Sequence, residues 1–390
     1  MKTDFEYCVP THIYFGQNQL ENLGQELKKH GKNVLVVMGS PRVKSTQWYK
    51  TVVEQINNNG MQLFEFQGVE PNPRSYSVNQ VADICKKEKI DVLLPIGGGS
   101  VVDCAKLASA AAYYEGDAWD LVIKKAQMTK FLPVVVISTI SGTGTDMDAY
   151  GIVSNPKTEE KLPFYHPNLY PAATFLDPTI TYSVSPYQTA CGAIDAFSHY
   201  LEVYFMKDNL YVLRRIMEGF MKTILHFLPI AINEPENYEA RANIMWASSW
   251  ALNGFTYGPT GGTPFAMHWI EDELSAKYDI THGLGLAIVM PHYLEYCLNE
   301  KSVQMYYEFG VNVLDISPDL DKMDVAKLSI EKLKDLFFNI CNLKPGLSDY
   351  VQIDETKFDE MAKIACRNDK IEGFVTLTQE DVKNILKRCI

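Results

Sequence analysis

Residues 92–106 read VLLPIGGGSVVDCAK, an apolar run that meets three glycines and is followed by a helical pattern. The apolar run predicts a buried strand, Val92–Ile96, and the pattern after it predicts a helix that begins near Val101. Glycines let a backbone approach a phosphate closely, and the free amides at a helix N-terminus attract negative charge. The stretch therefore predicts a phosphate-binding loop, with a simple tight turn as the alternative. The loop residues are Gly97, Gly98, Gly99 and Ser100.

Strand-like and helical segments alternate on both sides of this loop. Such alternation predicts a largely parallel sheet with helices on both faces and ligands at the carboxyl ends of its strands. After Asp177-Pro178 the strand-like runs stop, and helical spacing of apolar residues continues to the end. We predict an α/β domain with a Rossmann-like sheet over residues 1–180 and an all-α domain over residues 181–390. The predicted strands are Val34–Met38, Leu63–Val69, Val92–Ile96 and Pro133–Ser138. The predicted helices include Ser77–Glu88, Val101–Tyr114, Gln188–Tyr204, Leu210–His226, Tyr238–Leu252 and Asp324–Phe338.

The composition of the 390 residues excludes several classes of function. A formal net charge of -12 repels nucleic acid and anionic membrane surfaces. No apolar run approaches the ~20 residues that cross a bilayer, and the first residues include acids where a signal peptide is apolar. The eight cysteines contain no C-x-x-C pair, so we expect reduced thiols. We expect a cytoplasmic protein with no nucleic-acid or membrane partner.

A second loop follows the predicted strand Pro133–Ser138 and reads TISGTGT over residues 139–145. The hydroxyls of Thr139 and Thr143 and the free amides of this loop lie at the same sheet edge as the glycines. Two such loops suit a pyrophosphate and its ribose better than a lone phosphate. Asp103 falls in the first turn of the predicted glycine-loop helix, where the helix dipole stabilises a carboxylate even without a function. We keep it as a possible cofactor contact.

The end of the first predicted strand bears on the choice of dinucleotide. Gly39 and Ser40 stand there, with Arg42 and Lys44 close behind and no acid that could take the ribose hydroxyls of NAD. Cations nearby hold a 2'-phosphate more easily, so NADP(H) is favoured over NAD(H). The alternative is that both cations are solvated surface charges.

Four residues of the C-terminal half have the chemistry of a metal site. Asp195 and His199 are four apart in a helical stretch and share one helix face. His268 and His282 would be about 21 Å apart on one straight helix, too far for one ion. The helical pattern breaks at residues 278–281, however, and a turn there could fold His282 back toward His268. Three imidazoles and a carboxylate suit a borderline divalent ion such as Fe(II) or Zn(II), although each histidine alone is more often structural.

Taken together, these motifs resemble the iron-containing (group III) alcohol dehydrogenase family and its bacterial butanol dehydrogenase-like branch. The resemblance covers nearly the whole chain. Its segments are GVEPNPR at 68–74, GGGS at 97–100 with Asp103 and Lys106, Thr139 and Thr143, EKL at 160–162, Ile194–His199, ARA at 240–242, MWA at 245–247 and DITHG at 279–283.

The resemblance implies site residues and a cofactor set. Asp195, His199, His268 and His282 occupy metal-ligand positions, for Fe2+ with Zn2+, Ni2+ or Mn2+ as alternatives. It also implies a dinucleotide-binding domain joined to a helical metal- and substrate-binding domain, in an architecture shared with dehydroquinate synthase. Relatives commonly form homodimers through an N-terminal strand region, here near Phe5–Val9 and Ile13–Phe15. The positions that match dinucleotide contacts are Gly39, Ser40, Gly97, Gly98, Gly99, Ser100, Asp103, Thr139, Thr143 and Lys161.

The chain departs from the family pattern at two places. Asp272 stands where many relatives have a histidine one turn after the third ligand, a position associated with proton relay. We expect Asp272 and Lys161 to take part in catalysis, with Asp272 orienting the relay. Residues 38–42 also depart from the glycine-rich turn of relatives, which weakens the expectation of NADP(H).

The expected activity is hydride transfer between NAD(P)(H) and a primary alcohol or aldehyde such as butanol or butyraldehyde. A polyol dehydrogenase of the glycerol type is the nearer alternative. A dehydroquinate synthase-like lyase would need a cluster of Lys and Arg in the helical half to hold a phosphate-bearing acid. The ligand-bearing stretches carry one cation, Lys277, which makes the lyase a distant alternative. A relative that binds metal and nucleotide without turnover is the third possibility.

Overall fold

The structure, a computed structural model, describes residues 4–206, 209–258, 265–367 and 369–390. The chain divides into two compact units. Cys8–Ser183 form an α/β unit, and Val184–Ile390 together with the N-terminal residues up to Tyr7 form a helical unit.

The α/β unit is built on a six-stranded sheet in which every neighbouring pair of strands is parallel. The strand order β1-β8-β5-β4-β2-β3 leaves β1 and β3 at the edges. Two further strands, β6 and β7, form an antiparallel pair outside the sheet. The strands are β1 His12–Phe15, β2 Asn33–Met38, β3 Gln62–Gln67, β4 Val92–Gly97, β5 Val135–Ser138, β6 Tyr150–Asn155, β7 Glu160–Tyr165 and β8 Ala173–Leu176. The helices of this unit are α1 Leu23–Lys28, α2 Gln47–Asn58, α3 Ser75–Glu88, α4 Gly99–Ala111 and α5 Ala118–Val122.

Strand β2 shows why the sheet is covered on both faces. Its residues from Val34 to Met38 are all fully buried, as in a parallel strand between two helical layers. Leu35 and Val37 join the core on one face, and Val34, Val36 and Met38 join the core on the other. The predicted parallel α/β sheet is therefore confirmed, with strand ends within two residues of those predicted.

Two details of the α/β unit differ from the prediction. The β6–β7 hairpin was not predicted, because its strands mix polar and apolar residues without the apolar runs of the central sheet. Helix α4 begins at Gly99 rather than near Val101. Asp103 therefore lies one turn inside the helix and not in its first turn, so the helix-dipole argument for this residue was wrong.

The helical unit surrounds one large apolar core. As predicted, the regular secondary structure of its described residues is helical, apart from an isolated bridge between Ile371 and Leu377. Along the described ranges, no helix is both long enough and apolar enough to span a bilayer. Helix α12 continues into a π-helix at Asp335–Ile340. The helices are α6 Pro186–Tyr204, α7 Tyr211–Asn233, α8 Tyr238–Ser249, α9 Ala266–Tyr278, α10 His282–Cys297, α11 Val303–Leu314, α12 Lys322–Lys334, α13 Phe358–Ala365 and α14 Gln379–Arg388.

The predicted break between His268 and His282 is confirmed. Helix α9 ends at Tyr278, and Asp279 takes the left-handed conformation with φ of 51°. The N-terminus of α10 then lies directly against α6. A Cβ at Gly283 would lie inside van der Waals contact of the carbonyl oxygen of Cys191, so only glycine allows this approach. The absence of a Cβ at Gly283 thus allows α10 to lie close to the helix that carries Asp195.

We predict that Gly283→Ala lowers the free energy of unfolding of the helical unit by about 1 to 3 kcal/mol, the usual cost of forcing extra volume into a packed interior. Gly219→Ala is the matched control. Gly219 also lies in a helix, α7, but a Cβ there meets nothing within 4 Å. Alanine at that position should stabilise by about 0.5 to 1 kcal/mol. Urea unfolding of the three proteins measures both changes, and equal midpoints for Gly283→Ala and the parent chain would contradict the packing argument.

Candidate metal centre and phosphate-binding loops

Helix α6 presents Asp195 and His199 on one buried face, as their spacing predicts. His199 Nδ1 lies 3.4 Å from Asp195 Oδ1 and 3.0 Å from the backbone carbonyl oxygen of Asp195. A carbonyl oxygen only accepts hydrogen bonds, so Nδ1 of His199 carries the proton. The lone pair on Nε2 of this imidazole is therefore left for a ligand.

Two further imidazoles approach the same carboxylate from other helices. His268 Nε2 on α9 lies 3.6 Å from Asp195 Oδ1, and His282 Nε2 at the start of α10 lies 3.8 Å from it. Asp195, His268 and His282 each offer one ligand atom within 4.8 Å of the other two. His199 is outside that tightest group, but its ring centroid is 4.1 Å from that of His268. The structure thus brings all four sequence-predicted ligands together.

The Oδ1 atom of Asp195 tests whether these residues fit a cation. It is buried and has no hydrogen-bond partner among the residues that the structure describes. An unmade hydrogen bond at a buried polar atom usually costs about 1–3 kcal/mol, and more for a charged group. The three imidazole nitrogens around it stand 3.4–3.8 Å away, too far for good hydrogen bonds. The residues fit a metal, because Asp195, His268 and His282 offer ligand atoms within 4.8 Å of one another and the imidazole of His199 lies beside them. Such a donor set suits a borderline divalent ion.

Two acids are hydrogen-bonded to Nδ1 of the imidazoles whose Nε2 atoms face Asp195, and neither acid was predicted from the sequence. Glu202 Oε2 lies 2.5 Å from Nδ1 of His268, and Glu271 Oε2 is hydrogen-bonded to Nδ1 of His282. Helical spacing could have found them. Glu202 lies seven residues after Asp195 on α6, and Glu271 lies three residues after His268 on α9, so each shares a face with a ligand.

Burial and the neighbouring charges shift the pKa values of the cluster in different directions. Burial raises the pKa of Asp195, but the three imidazoles outweigh burial and hold it well below its usual range. Burial, and then the charge of His268, lower the pKa of His199 to about 3. For His268, burial acts downward, but the carboxylates of Glu202 and Asp195 raise the pKa to about 10. The carboxylates make this cluster strongly attractive to positive charge.

Aromatic side chains and Asp272 border the cluster. The ring of Phe265 lies 5.7 Å from His199 and 5.6 Å from His268, and Tyr257 packs edge-on against Phe265 at 5.9 Å. Asp272, one turn after His268, offers a carboxylate oxygen within 4.8 Å of ligand atoms of Glu271 and His282. The residue that departs from the family pattern therefore lies beside His282, the fourth of the predicted ligands.

The two predicted phosphate loops lie together in the α/β unit. Strand β4 pairs with β5 so that Gly97 is opposite Ser138, and the Thr139 amide donates to the Gly97 carbonyl at 3.0 Å. A Cβ at Gly98 would stand 2.5 Å from Cγ2 of Ile140, and a Cβ at Gly99 would stand 2.8 Å from Oγ1 of Thr143. The loops thus form one backbone cradle at the carboxyl edge of the sheet, where the helix α4 begins.

A buried ion-pair network lies behind this cradle. Lys106 is fully buried on α4, and its Nζ donates to Oγ1 of Thr145 at 2.8 Å and to Oδ1 of Asp148 at 2.7 Å. Asp103 Oδ1 accepts from Thr145 Oγ1 at 2.7 Å, and its Oδ2 accepts from the Ile152 amide at 3.0 Å. Burial raises the pKa of Asp103, against the attraction of Lys106 and, more weakly, of Lys161 on β7. Both oxygens of Asp103 therefore serve to tie the loop region together.

The residues after β2 take a capped turn. Ser40 Oγ accepts from the Arg42 amide at 3.3 Å at the start of a 3-10 helix, Pro41–Ser45. Lys44 Nζ is 2.6 Å from a carboxylate oxygen of Glu65, and the side chain of Arg42 is exposed. A Cβ at Gly39 would lie 3.0 Å from the Val69 carbonyl oxygen, so a side chain there would crowd the neighbouring loop.

Comparison with known proteins covers both units. Residues 10–178 match the sequence model described as iron-containing alcohol dehydrogenase, and residues 189–390 match its C-terminal counterpart. The chain is 44% identical to NADH-dependent butanol dehydrogenase B of Clostridium acetobutylicum over 92% of each protein. It is 32% identical to the NADPH-dependent aldehyde reductase YqhD of Escherichia coli over 89% of each. The crystal structure of NADH-dependent butanol dehydrogenase A from Thermotoga maritima superposes with a TM-score of 0.92 at 35% identity, covering 100% of this chain and 99% of that one.

Proposed function

We propose that one divalent metal ion binds between α6, α9 and α10, because the chain belongs to the iron-containing alcohol dehydrogenase family. Relatives of the chain are named as NADH- or NADPH-dependent enzymes of alcohols and aldehydes. The observation that carries this proposal is the buried Oδ1 of Asp195, which faces three imidazoles and has no hydrogen-bond partner in the described chain. The proposed ligands are Asp195, His199, His268 and His282. We propose Fe2+ as the ion, with Zn2+, Ni2+ or Mn2+ as alternatives of the same ligand chemistry.

The enzyme is an alcohol dehydrogenase and aldehyde reductase. When bound, the cation acts as a Lewis acid toward the oxygen of the substrate, and the dinucleotide accepts or delivers the hydride. The chain itself contributes a buried carboxylate that keeps the site negative and imidazoles whose second nitrogens are already engaged. Phe265 packs edge-on against the imidazoles of His199 and His268, and Tyr257 packs against Phe265, so apolar surface lies beside the cluster.

For the substrate we propose a short primary alcohol and its aldehyde, such as butanol and butyraldehyde. The support is that relatives 39–44% identical to the chain are named butanol dehydrogenases. The aromatic rings beside the imidazoles also suit an apolar chain. The named relatives are dehydrogenases and reductases, so the comparisons do not favour the lyase or the metal- and nucleotide-binding protein without turnover.

For the dinucleotide we propose that its phosphates bind at the paired loops of the α/β unit. Helix α4 begins in this cradle, and the first amides of a helix have no partner within the helix, which suits a pyrophosphate. Asp103 would act mainly through Thr145 and Ile152, since both of its oxygens already accept hydrogen bonds. Lys161 would add positive charge near Asp103. The proposed contact residues are Gly39, Ser40, Gly97, Gly98, Gly99, Ser100, Asp103, Thr139, Thr143 and Lys161.

We further propose a cytoplasmic homodimer. The cysteines of the chain are free thiols, and all except Cys8 are buried, as suits a reducing compartment. Strand β1, which contains Ile13–Phe15, lies at an edge of the sheet, and an edge strand offers backbone groups that a second copy can pair with. The other expected region, Phe5–Val9, has no assigned strand within the single chain.

We predict that His268→Ala and His282→Ala each lose bound metal and turnover together, because removing one of four ligands opens the site. His292→Ala is the matched control. His292 also lies on α10, is partly buried and contacts Glu295 rather than the cluster. Metal analysis of the purified proteins gives the readout. Full occupancy in either ligand variant would contradict the assignment, as would an equal loss in the control.

We predict that NADPH binds more tightly than NADH by about 1 to 3 kcal/mol, the size of a charge-assisted contact. Residue 39 brings no carboxylate against a 2'-phosphate, and the exposed Arg42 can pair with it. Arg42→Ala should abolish the preference by weakening NADPH alone, whereas Lys44→Ala should matter less because Lys44 is paired with Glu65. Fluorescence titration with both dinucleotides measures this. The relatives include one named for NADH and one named for NADPH, so similarity does not decide the preferred dinucleotide. Equal affinities for NADPH and NADH would show the predicted preference to be wrong.

We propose that Asp272 orients proton transfer during aldehyde reduction, with Lys161 as a second catalytic participant. A carboxylate beside His282 can accept a hydrogen bond from water or a hydroxyl where a histidine could also donate one. We predict that Asp272→Asn lowers turnover at saturating cofactor, and that Asp272→His changes its pH profile because a titrating imidazole enters the site. The measurement is kcat against pH for both variants. If both variants keep the kcat and the pH profile of the parent enzyme, Asp272 has no role in proton transfer.

A further inference from the structure

The ligand-bearing helices share a short pattern that the proposed metal site does not itself explain. Helix α6 carries His199-x-x-Glu202, and α9 carries His268-x-x-Glu271. Glu202 of α6 bonds His268 of α9, and Glu271 of α9 bonds His282 of α10. Each glutamate is therefore hydrogen-bonded to the proposed ligand on the next ligand-bearing helix along the chain.

We propose that Glu202 and Glu271 are positioning residues of the metal site, each fixing the imidazole that the following helix contributes. A carboxylate only accepts hydrogen bonds, so each one keeps a proton on Nδ1 of its histidine and turns Nε2 toward the ion. Both Nε2 atoms indeed face Asp195 Oδ1, at 3.6 and 3.8 Å. This inference rests on the proposed metal site and adds the two residues that orient its imidazole ligands.

Burial and packing show that these acids are built into the fold. Glu271 is fully buried, and Glu202 is only 7% exposed. Glu202 Oε1 also accepts from the Met267 amide at 2.6 Å, so this one carboxylate holds both the N-terminal turn of α9 and its ligand. A Cβ on Gly285 would stand 2.6 Å from Cγ of Glu271, so this glycine makes room for the acid. The three helices are thus joined in series by the same bonds that orient the ligands.

The two acids differ in how well an amide could replace them. Glu202 accepts from two nitrogen donors, His268 Nδ1 and the Met267 amide. The backbone amide cannot reverse its role, and Nδ1 of His268 could accept only in the tautomer that puts the proton on Nε2, the nitrogen that faces the ion. In the Glu202→Gln variant, the neutral amide would have one oxygen for two donors. Glu271 Oε1 accepts from the hydroxyl of Ser275, which can rotate to accept from an amide instead. Glu202→Gln should therefore harm the site more than Glu271→Gln.

The test measures Zn2+ affinity by competition with a chromogenic chelator, in protein stripped of metal and reloaded. We expect about 10- to 100-fold weaker binding for Glu202→Gln, the usual effect of removing such a partner, and a smaller loss for Glu271→Gln. Glu218→Gln is the control, because Glu218 is buried on α7 and bonds Tyr204 and Arg215 without touching a ligand. Its affinity should equal that of the parent chain.

The outcomes separate this inference from the proposed metal site. Parent affinity in both Glu202→Gln and Glu271→Gln overturns the inference and leaves the site standing. Absence of Zn2+ binding by the parent chain overturns the site itself. If Glu202→Gln does not fold, nitrogen NMR of the Zn2+-loaded parent chain decides. The proposal expects Nδ1–H and metal-bound Nε2 at His268 and His282, and the opposite assignment at either residue overturns it.

Discussion

The packing of α6, α9 and α10 must satisfy one constraint, the burial of an aspartate oxygen among three imidazoles. Asp195 lies inside α6, where a carboxylate oxygen without a hydrogen-bond partner is costly. The surrounding features reduce that cost or prepare for the cation that would remove it. The left-handed residue Asp279 ends α9, Gly283 lets α10 touch α6, and Gly285 makes room for Glu271. Without the break at Asp279, one continuous helix would hold His268 and His282 about 21 Å apart, too far to share an ion.

The α/β unit meets a different requirement, which is to hold two backbone loops in register. Parallel pairing of β4 with β5 brings the loops side by side, and small residues let them touch. The buried Lys106 then ties α4 to Thr145, Asp148 and Tyr150. Removing one partner of such a buried pair is usually far more costly than the pair is stabilising, because it leaves an uncompensated charge. The network thus fastens α4 to the segment that follows the second loop.

Much of this was readable from the sequence, because period and spacing are local properties. The apolar runs predicted the central strands, the Asp195–His199 spacing predicted a shared helix face, and the break at residues 278–281 predicted the turn before His282. The β6–β7 hairpin was missed because its pattern is mixed. Glu202 and Glu271 were missed because their partners lie on other helices, 66 and 11 residues away. The roles of Asp103 and Lys106 depend on contacts more than 40 residues distant, which spacing alone does not reveal.

The proposed metal site requires three helices to deliver four side chains to one divalent ion through a fixed set of atoms. A crystal of the metal-loaded protein, with anomalous diffraction recorded at the absorption edge of the ion, tests it most directly. We expect one peak in the helical unit, bonded to the Asp195 carboxylate and to Nε2 of His199, His268 and His282. A peak bonded through Nδ1 of any of these histidines, or a metal held elsewhere in the chain, would contradict it.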